Sequence, residues 1–416
     1  MRVLLISASP INKTTSIGNT FLNIMPKNIE LSSLYTRGGL PDESVKNAFC
    51  ITEKMLLKFG KGKVVKDRYS LLSDSRDCFP EFARKHRFSL FFIIRELIWR
   101  IFNWKTSALN DFINDINPDV IFTVSSNAIY LNRIISYIAD YTDKPLMVYA
   151  WDNNYFDNPF EKHPVKRWLH KKEKLYMKKV IDKSEKLFVI SPMQKDDYDR
   201  EFSVNSIVLT KYDDFSSDYE CIETKNEAQI ELVYTGNLGV NRWKTLALLV
   251  GELKKINKSE VNAVLRIYSG TPLTEDMKNA LDDGKNSFLM GSVPAQKIPE
   301  IQKNADILVH AEGFDEKSAF RIKYSFSTKI VDYLKAARPI LAIGPRGVAS
   351  IEYFLSNDSA VVCDNPNEIS ERLTELIENE EIRKLYSKKA YECGKANHDK
   401  QKIEKDFYKT LSGMEE

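Results

Sequence analysis

The stretch FSTKIVDYLKAARPILAIGP (Phe326–Pro345) contains one helix-and-strand unit. Its first half carries apolar residues at helical spacing, namely Ile330, Tyr333 and Leu334. Ser327 or Thr328 is a natural N-cap for this helix, and Pro339 prevents the helix from continuing. The apolar run Ile340–Ile343 then predicts a buried strand. A short strand that follows a helix is the repeating unit of a parallel sheet with crossover helices.

Short apolar runs alternate with longer helical segments along the whole chain, which predicts parallel sheets buried on both faces. The predicted strands are Val3–Ile6, Asp119–Val124, Leu146–Ala150, Leu187–Ile190, Ile230–Thr235, Val264–Tyr268, Asp306–His310, Ile340–Ile343 and Ala360–Val362. A polar segment, Lys211–Gln229, separates the first four from the rest. We therefore predict an α/β chain with two Rossmann-like doubly wound domains, 1–209 and 210–390, facing each other across a cleft. The remaining segment, 391–416, is predicted to be a C-terminal helix. Whether this helix crosses back to the N-terminal domain is left open.

Composition excludes several classes of protein. The 416 residues include 61 Lys or Arg against 58 Asp or Glu, a net charge of +3, which is far from the strong positive charge of a nucleic-acid-binding protein. Five cysteines lack C-x-x-C spacing, and the five histidines do not cluster with them. We therefore expect neither a disulfide scaffold nor a metal site. The apolar run Val3–Ile6 is too short for a signal peptide, so the chain is predicted to be cytoplasmic.

A glycine-rich loop lies between a predicted strand and a predicted helix in ELVYTGNLGVNRWKTL (Glu231–Leu246). Gly236 and Gly239 flank this loop, in which backbone amides of residues such as Asn237 can approach an anion. Arg242 falls in the first turn of the helix, where a cation opposes the helix dipole. An anion bound at this place would explain the arrangement. The other interpretation is a tight turn with solvated basic residues.

Lys329 repeats this arrangement in the first turn of the helix of Phe326–Pro345, with Asp332 on the same face. One interpretation is an exposed Lys–Asp pair. The other assigns the hydroxyls of Ser327 and Thr328, together with Lys329, to a diphosphate, and the Asp332 carboxylate to ribose hydroxyls. Because both loops follow strands of one predicted sheet, they could hold the same nucleotide.

These residues resemble the donor-binding domain of GT-B glycosyltransferases. The form G-x-L-x-x-x-[KR] of that family matches Gly236, Leu238 and Arg242. The form S-T-K-x-x-[DE]-Y-L fits Ser327–Leu334, and the family's proline and apolar residue match Pro339-Ile340. The resemblance is specifically to the retaining, nucleotide-sugar-dependent group (glycosyl transferases group 1, family 4-like) that builds bacterial surface polysaccharides. It is most specific over residues 230–345.

The resemblance implies transfer of a sugar from a nucleotide diphosphate sugar to a hydroxyl acceptor, with retention of configuration. The implied acceptor is a lipid-linked saccharide in capsule, O-antigen or exopolysaccharide biosynthesis, bound by the N-terminal domain. Arg242 and Lys329 would stabilise the leaving diphosphate, together with the amides of the glycine loop, and neither a metal nor a cofactor is expected. Asp152 is the N-terminal candidate for contact with the transferred sugar or the acceptor. The neighbouring aromatic residues either stack on a sugar or form an aromatic loop packed at the domain interface: Trp151, Tyr155 and Phe156.

Two positions depart from the family pattern. Tyr324 stands where many members have a first acidic residue, and Ala337 stands where a glycine is usual. Ala337 is expected to avoid the left-handed conformation that glycine adopts readily. These departures keep open a second interpretation, a non-catalytic GT-B-like subunit that binds nucleotide. A Rossmann-type reductase is a weak third, because no G-x-G-x-x-G follows either first strand.

The segment RFSLFFIIRELIWRIFNWK (Arg87–Lys105) is a predicted amphipathic helix rich in aromatic and basic residues. Its charges interrupt it well before the ~20 apolar residues that span a bilayer. A core helix is the favoured interpretation, and peripheral contact with the inner face of the cytoplasmic membrane is the other. The two are compatible for different faces of the helix.

Overall fold

The structure is a computed structural model that describes residues 1–13, 16–25, 28–58, 60, 62–65, 89–219 and 229–413. The chain forms two compact units. The N-terminal unit comprises Met1–Ile190, Lys195–Leu209 and Glu404–Glu416, and the C-terminal unit comprises Ser191–Gln194 and Thr210–Ile403. Each unit is built on its own β-sheet, so each has its own hydrophobic core.

The sheet of the N-terminal unit has the strand order β4-β3-β2-β1-β5-β6-β7-β8, and all its pairs are parallel except β3 with β4. These strands are β1 Arg2–Ser7, β2 Glu30–Tyr35, β3 Val45–Cys50, β4 Lys63–Val64, β5 Val120–Val124, β6 Leu146–Ala150, β7 Lys186–Val189 and β8 Ile207–Val208. The helices up to the second unit are α1 Ser16–Ile24, α2 Glu53–Leu57, α3 Ser89–Ile101, α4 Ser107–Ile116, α5 Ile129–Thr142, α6 Pro164–Asp182 and α7 Pro192–Phe202. The buried strands carry the core of this unit.

The sheet of the C-terminal unit is parallel throughout, with the order β11-β10-β9-β12-β13-β14. Its strands are β9 Ile230–Thr235, β10 Ala263–Tyr268, β11 Ser287–Gly291, β12 Ile307–Ala311, β13 Ile340–Ile343 and β14 Val361–Cys363. The α-helices from here to the end of the chain are α8 Arg242–Ile256, α9 Glu275–Leu281, α10 Ile298–Lys303, α11 Glu316–Ile322, α12 Thr328–Ala336, α13 Ala349–Ser356, α14 Ile369–Glu378, α15 Glu380–His398 and α16 Lys400–Ser412. Because the strands are parallel, the loops that follow β9, β12 and β13 meet at one edge of the sheet.

The predicted architecture of two doubly wound α/β domains is confirmed, and all nine predicted strands are present to within about a residue. Five further strands in the described ranges were not predicted, because β4 and β8 have only two residues each and β2, β3 and β11 mix polar or glycine residues with apolar ones. In β2, for example, Ser32 and Ser33 are completely buried. The segment 391–416 holds the end of α15 and the whole of α16, and Phe407 of α16 packs against Phe122 and Phe188 in the N-terminal unit.

Ala337 adopts the left-handed conformation, with φ of 51° and ψ of 49°, so the expectation that it avoids this region is wrong. It is the C-cap of α12, where the chain must turn sharply into β13. The Ser387 hydroxyl donates a 2.6 Å hydrogen bond to the Ala337 carbonyl. This tertiary bond helps to hold a backbone conformation that costs an L-residue about 1 kcal/mol.

Helix α3 has one buried and one exposed face. Trp99 is fully buried, stacks on Tyr130 at 4.5 Å, and donates a 3.0 Å hydrogen bond to Glu53. The core interpretation therefore holds for this face. Several apolar side chains of the helix are exposed: Phe92, Ile94, Leu97 and Ile101. Residues 87 and 88 of the predicted segment lie outside the described residues. Within the described ranges, no helix has the length and apolar character needed to cross a membrane.

Candidate active site

The glycine loop after β9 passes directly beside Lys329. Gly236 has a φ of 151°, and a β-carbon added to it would lie 1.9 Å from the Lys329 Nζ atom. Only glycine permits this approach, because any side chain would occupy the position of the ammonium group. The loop and the start of α12, which the sequence analysis assigned to one ligand, are therefore in contact.

The amides of the glycine loop already have acceptors within the protein. The Gly236 N–H donates to the Tyr268 carbonyl at 2.9 Å, and the Gly239 N–H donates to the Asn237 side chain at 2.5 Å. The Leu238 N–H donates to the Thr271 hydroxyl at 3.0 Å. Two of these three bonds tie the loop to residues at the end of β10 or just after it, and only the Gly239–Asn237 bond lies within the loop. The contact of the remaining loop amides with an anion stays a prediction. Positive charge at the site comes from side chains.

Arg242, the first residue of α8, forms a two-pronged ion pair with Glu312. Its Nε and Nη2 atoms lie 2.8 Å and 3.2 Å from the two carboxylate oxygens. Only 16% of the Arg242 side chain and 2% of the Glu312 side chain are exposed. The Thr245 hydroxyl donates a 2.7 Å hydrogen bond to the Glu312 carbonyl, which fixes the end of β12 against α8. Glu312 therefore holds the guanidinium in one orientation.

Glu312 stays ionised in spite of its burial. Desolvation by itself would raise its pKa, but the His310 ring and the Arg242 guanidinium lower the pKa to about 2. The Nε2 atom of His310 lies 3.5 Å from the carboxylate, and burial lowers the pKa of this histidine, so its ring is neutral at pH 7. His310 thus belongs to this buried group.

Lys329 supplies a charge that no neighbouring carboxylate neutralises. Its ammonium group lies 4.8 Å from the centre of the Tyr234 ring, and in the described part of the chain no carboxylate is within ion-pair distance of it. Burial, and then the charge of Arg242, lower the pKa of Lys329 to about 8. Arg242, Lys329 and Glu312 together give the site a net charge of +1, which suits an anion.

The hydroxyls of Ser327 and Thr328 stand at the start of α12. Ser327 is the N-cap, but its side chain makes no capping hydrogen bond. Both residues are partly exposed, and neither hydroxyl has a partner among the residues that the structure describes. The first turn of α12 therefore presents free donors next to Lys329.

Asp332 forms its ion pair with Lys211 and not with Lys329, so the interpretation as an exposed Lys–Asp pair does not hold. Asp332 also lines a cavity of about 490 Å³ with Gln302 and Lys303 of α10 and with Arg338. The proposed contact of Asp332 with a ribose stays a prediction.

Asp152 belongs to the N-terminal unit, whereas the eight other predicted site residues belong to the C-terminal unit. It is exposed in the loop after β6. In the same loop Tyr155 is 3% exposed and donates a 3.0 Å hydrogen bond to Glu201, and Phe156 packs against Tyr198 at 5.6 Å. These two rings therefore pack within the N-terminal unit. Within the described ranges, no group of three or more His, Cys, Asp or Glu side chains could hold a metal ion.

The fold and the family comparison define the class of this protein. Residues 229–379, which contain the Arg242–Lys329 site, match the family model described as Glycosyl transferases group 1. With its two parallel-sheet Rossmann-like domains, the chain is a glycosyltransferase of the GT-B fold. No curated protein sequence matches it.

Several solved structures have the same fold. Sucrose-phosphate synthase from Thermosynechococcus elongatus superposes with a TM-score of 0.61 at 9% identity, covering 100% of both chains. HepE of Anabaena, in complex with UDP and glucose, gives 0.60 at 10% identity over 99% of this chain and 100% of its own. A UDP-forming α,α-trehalose-phosphate synthase from Burkholderia xenovorans, in complex with glucose-6-phosphate, gives 0.56 at 8% identity over 99% and 100%. At these identities the likeness concerns the fold.

Proposed function

We propose that this enzyme transfers a sugar from a nucleotide diphosphate sugar to a hydroxyl acceptor, with the donor's diphosphate bound between Arg242 and Lys329. The observation that carries the proposal is the Lys329 ammonium, which lies against Gly236 at the start of α12 and has no carboxylate partner in the described ranges. The HepE structure that contains UDP and glucose supports a nucleotide-sugar donor, because it shares the fold.

The geometry suits the main demand of this reaction, which is charge that develops on the departing diphosphate. Glu312 engages two of the five N–H donors of Arg242, so the others remain for phosphate oxygens. Because Glu312 and the loop contacts fix both cations before the donor arrives, little reorganisation is needed as the sugar–phosphate bond breaks. Ser327 and Thr328 would donate to the same phosphates, and Asp332 would accept from the ribose.

We further propose that transfer retains the anomeric configuration, requires no metal, and uses a lipid-linked saccharide acceptor of bacterial surface-polysaccharide synthesis. Asp152 would contact the transferred sugar or the acceptor from the N-terminal unit. The exposed apolar residues of α3, including Leu97 and Ile101, support a peripheral membrane contact, at which such an acceptor would be met.

The donor site can be tested by calorimetry with UDP, GDP and dTDP and by mass spectrometry of products. Lys329→Ala and Arg242→Ala should each lower turnover by about 10²-fold or more, and Lys258→Ala, at an exposed lysine beyond the end of α8, should not. Wild-type binding and turnover in both site variants would contradict the proposal. A panel of polyprenyl-diphosphate saccharides and sugar phosphates, offered as acceptors, identifies the acceptor. Nucleotide binding without any product from this panel would favour a non-catalytic subunit.

A further inference from the structure

Helix α6 exposes a face on which apolar and basic residues alternate. This face consists of residues spaced three and four apart: Val165, Trp168, Lys172, Leu175 and Lys179. Trp168 is 57% exposed and Leu175 is 49% exposed, which is unusual for side chains of this size. The opposite face packs into the core through Met177, Val180 and Ile181. The exposed face is therefore held rigidly outwards.

Positive charge is concentrated on this helix. Its 19 residues contain seven Lys or Arg and two acidic residues, a net charge of +5, whereas the entire chain has a net charge of +3. The rest of the chain is thus net negative, by two charges. Arg167, Lys171, Lys172 and Lys179 have no carboxylate partner among the described residues. Two of these cations, Lys172 and Lys179, lie on the same face as the exposed apolar side chains.

Helix α3 lies beside α6 and adds further exposed apolar surface. Phe92 and Glu96 of α3 line a small cavity together with Leu169 and Glu173 of α6. Phe92 is itself 41% exposed. The two neighbouring helices thus combine apolar and basic groups on the surface of the N-terminal unit.

We propose that α6 docks the protein on an anionic lipid bilayer, with Trp168 and Leu175 in the interfacial layer and the unpaired lysines at the headgroups. Nucleic acid would engage the cations but would leave Val165 and Leu175 exposed to water, so the alternation favours lipid. A second copy of this chain would bring another +5 helix against the first. The proposal extends the membrane contact suggested for α3 and does not depend on the donor site.

The test is co-sedimentation of the full chain with phosphatidylcholine vesicles and with vesicles that contain 30% phosphatidylglycerol. We expect at least tenfold tighter binding to the anionic vesicles, falling steeply as salt is raised. The double variant Lys172→Glu/Leu175→Ser should lose at least tenfold in affinity. The matched control Leu385→Ser/Lys388→Glu changes an exposed leucine and lysine at the same spacing on α15 and should bind as the wild type does.

A spectroscopic measurement locates the contact. Trp168 is the most exposed of the five tryptophans, so its fluorescence should shift to the blue on anionic vesicles, and Trp168→Phe should abolish the shift. Equal vesicle binding by wild type and Lys172→Glu/Leu175→Ser would overturn the proposal. The proposal would also be overturned if the protein bound an oligonucleotide but no vesicles, or if it self-associated without binding vesicles. Nucleotide binding measured on the same variants separates this outcome from a failure of the donor site, because α6 contributes no residue to it.

Discussion

Removing the charge of Glu312 should destabilise the protein and release Arg242. In Glu312→Gln the side chain keeps its shape, but the buried guanidinium loses its neutralising partner. Taking one partner from a buried ion pair typically costs 3–5 kcal/mol. The pKa gives a similar magnitude by a separate route: its decrease from 4.5 to about 2 corresponds to about 3 kcal/mol of stability.

The stabilisation by Glu312 should depend on pH in a defined direction. Because the pKa is lower in the folded state, the contribution is fully present above pH 4.5 and is lost as the pH falls towards 2. The difference in unfolding free energy between wild type and Glu312→Gln should therefore be about 3 kcal/mol at pH 7 and should shrink through this range.

Urea unfolding followed by circular dichroism measures both quantities. The control is Glu231→Gln, which makes the same substitution in the ion pair of Glu231 with Arg266. These two groups lie 3.1 Å apart, and about one-third of each side chain is exposed. This control should lose less than about 1 kcal/mol. If Glu312→Gln lost no more than the control, or if its deficit did not change between pH 5 and pH 2, our account of the Arg242–Glu312 pair would be refuted.

Four further predictions concern single residues. The pKa of unliganded Lys329 is about 8, and a bound diphosphate would keep its ammonium group protonated. UDP affinity should therefore fall as the pH rises above 8, by up to about tenfold per pH unit, but not in Lys329→Arg. Calorimetry in two buffers measures the proton uptake on binding. Gly236→Ala should weaken UDP binding at least tenfold, whereas Gly251→Ala, where nothing lies within 4 Å of the new β-carbon, should not. Ala337→Gly should raise the unfolding free energy by about 1 kcal/mol, because it relieves the left-handed conformation; an unchanged urea midpoint would contradict this. Burial lowers the pKa of His398 to about 4, so the unfolded chain binds one more proton than the folded chain between pH 4 and 6.5. The unfolding free energy should therefore decline by about 3 kcal/mol as the pH falls through this window. This decline should be absent in His398→Gln.

The sequence predicted the strands whose side chains are apolar throughout, because burial on both faces leaves a direct mark on composition. It missed β2, since Ser32 and Ser33 are buried where a neighbouring strand supplies the packing, and Asn47 of that strand donates to Ser32 at 3.2 Å. It also missed the left-handed conformation of Ala337, which a hydrogen bond from a residue 50 positions away helps to maintain. Long-range contacts of this kind have no local pattern.

The sequence by itself identified Gly236, Arg242 and Lys329, because a glycine loop and two cations opposed to helix dipoles are local features that can be read from spacing. Only the tertiary structure showed which carboxylate, if any, neutralises each of these cations. Glu312 lies 70 residues from Arg242 and neutralises it, whereas Lys329 has no carboxylate partner among the residues that the structure describes. Pairing depends on distances between side chains of different strands and helices, which the folded chain alone establishes. It therefore took the fold to distinguish the cation that Glu312 neutralises from the one that we propose binds the diphosphate.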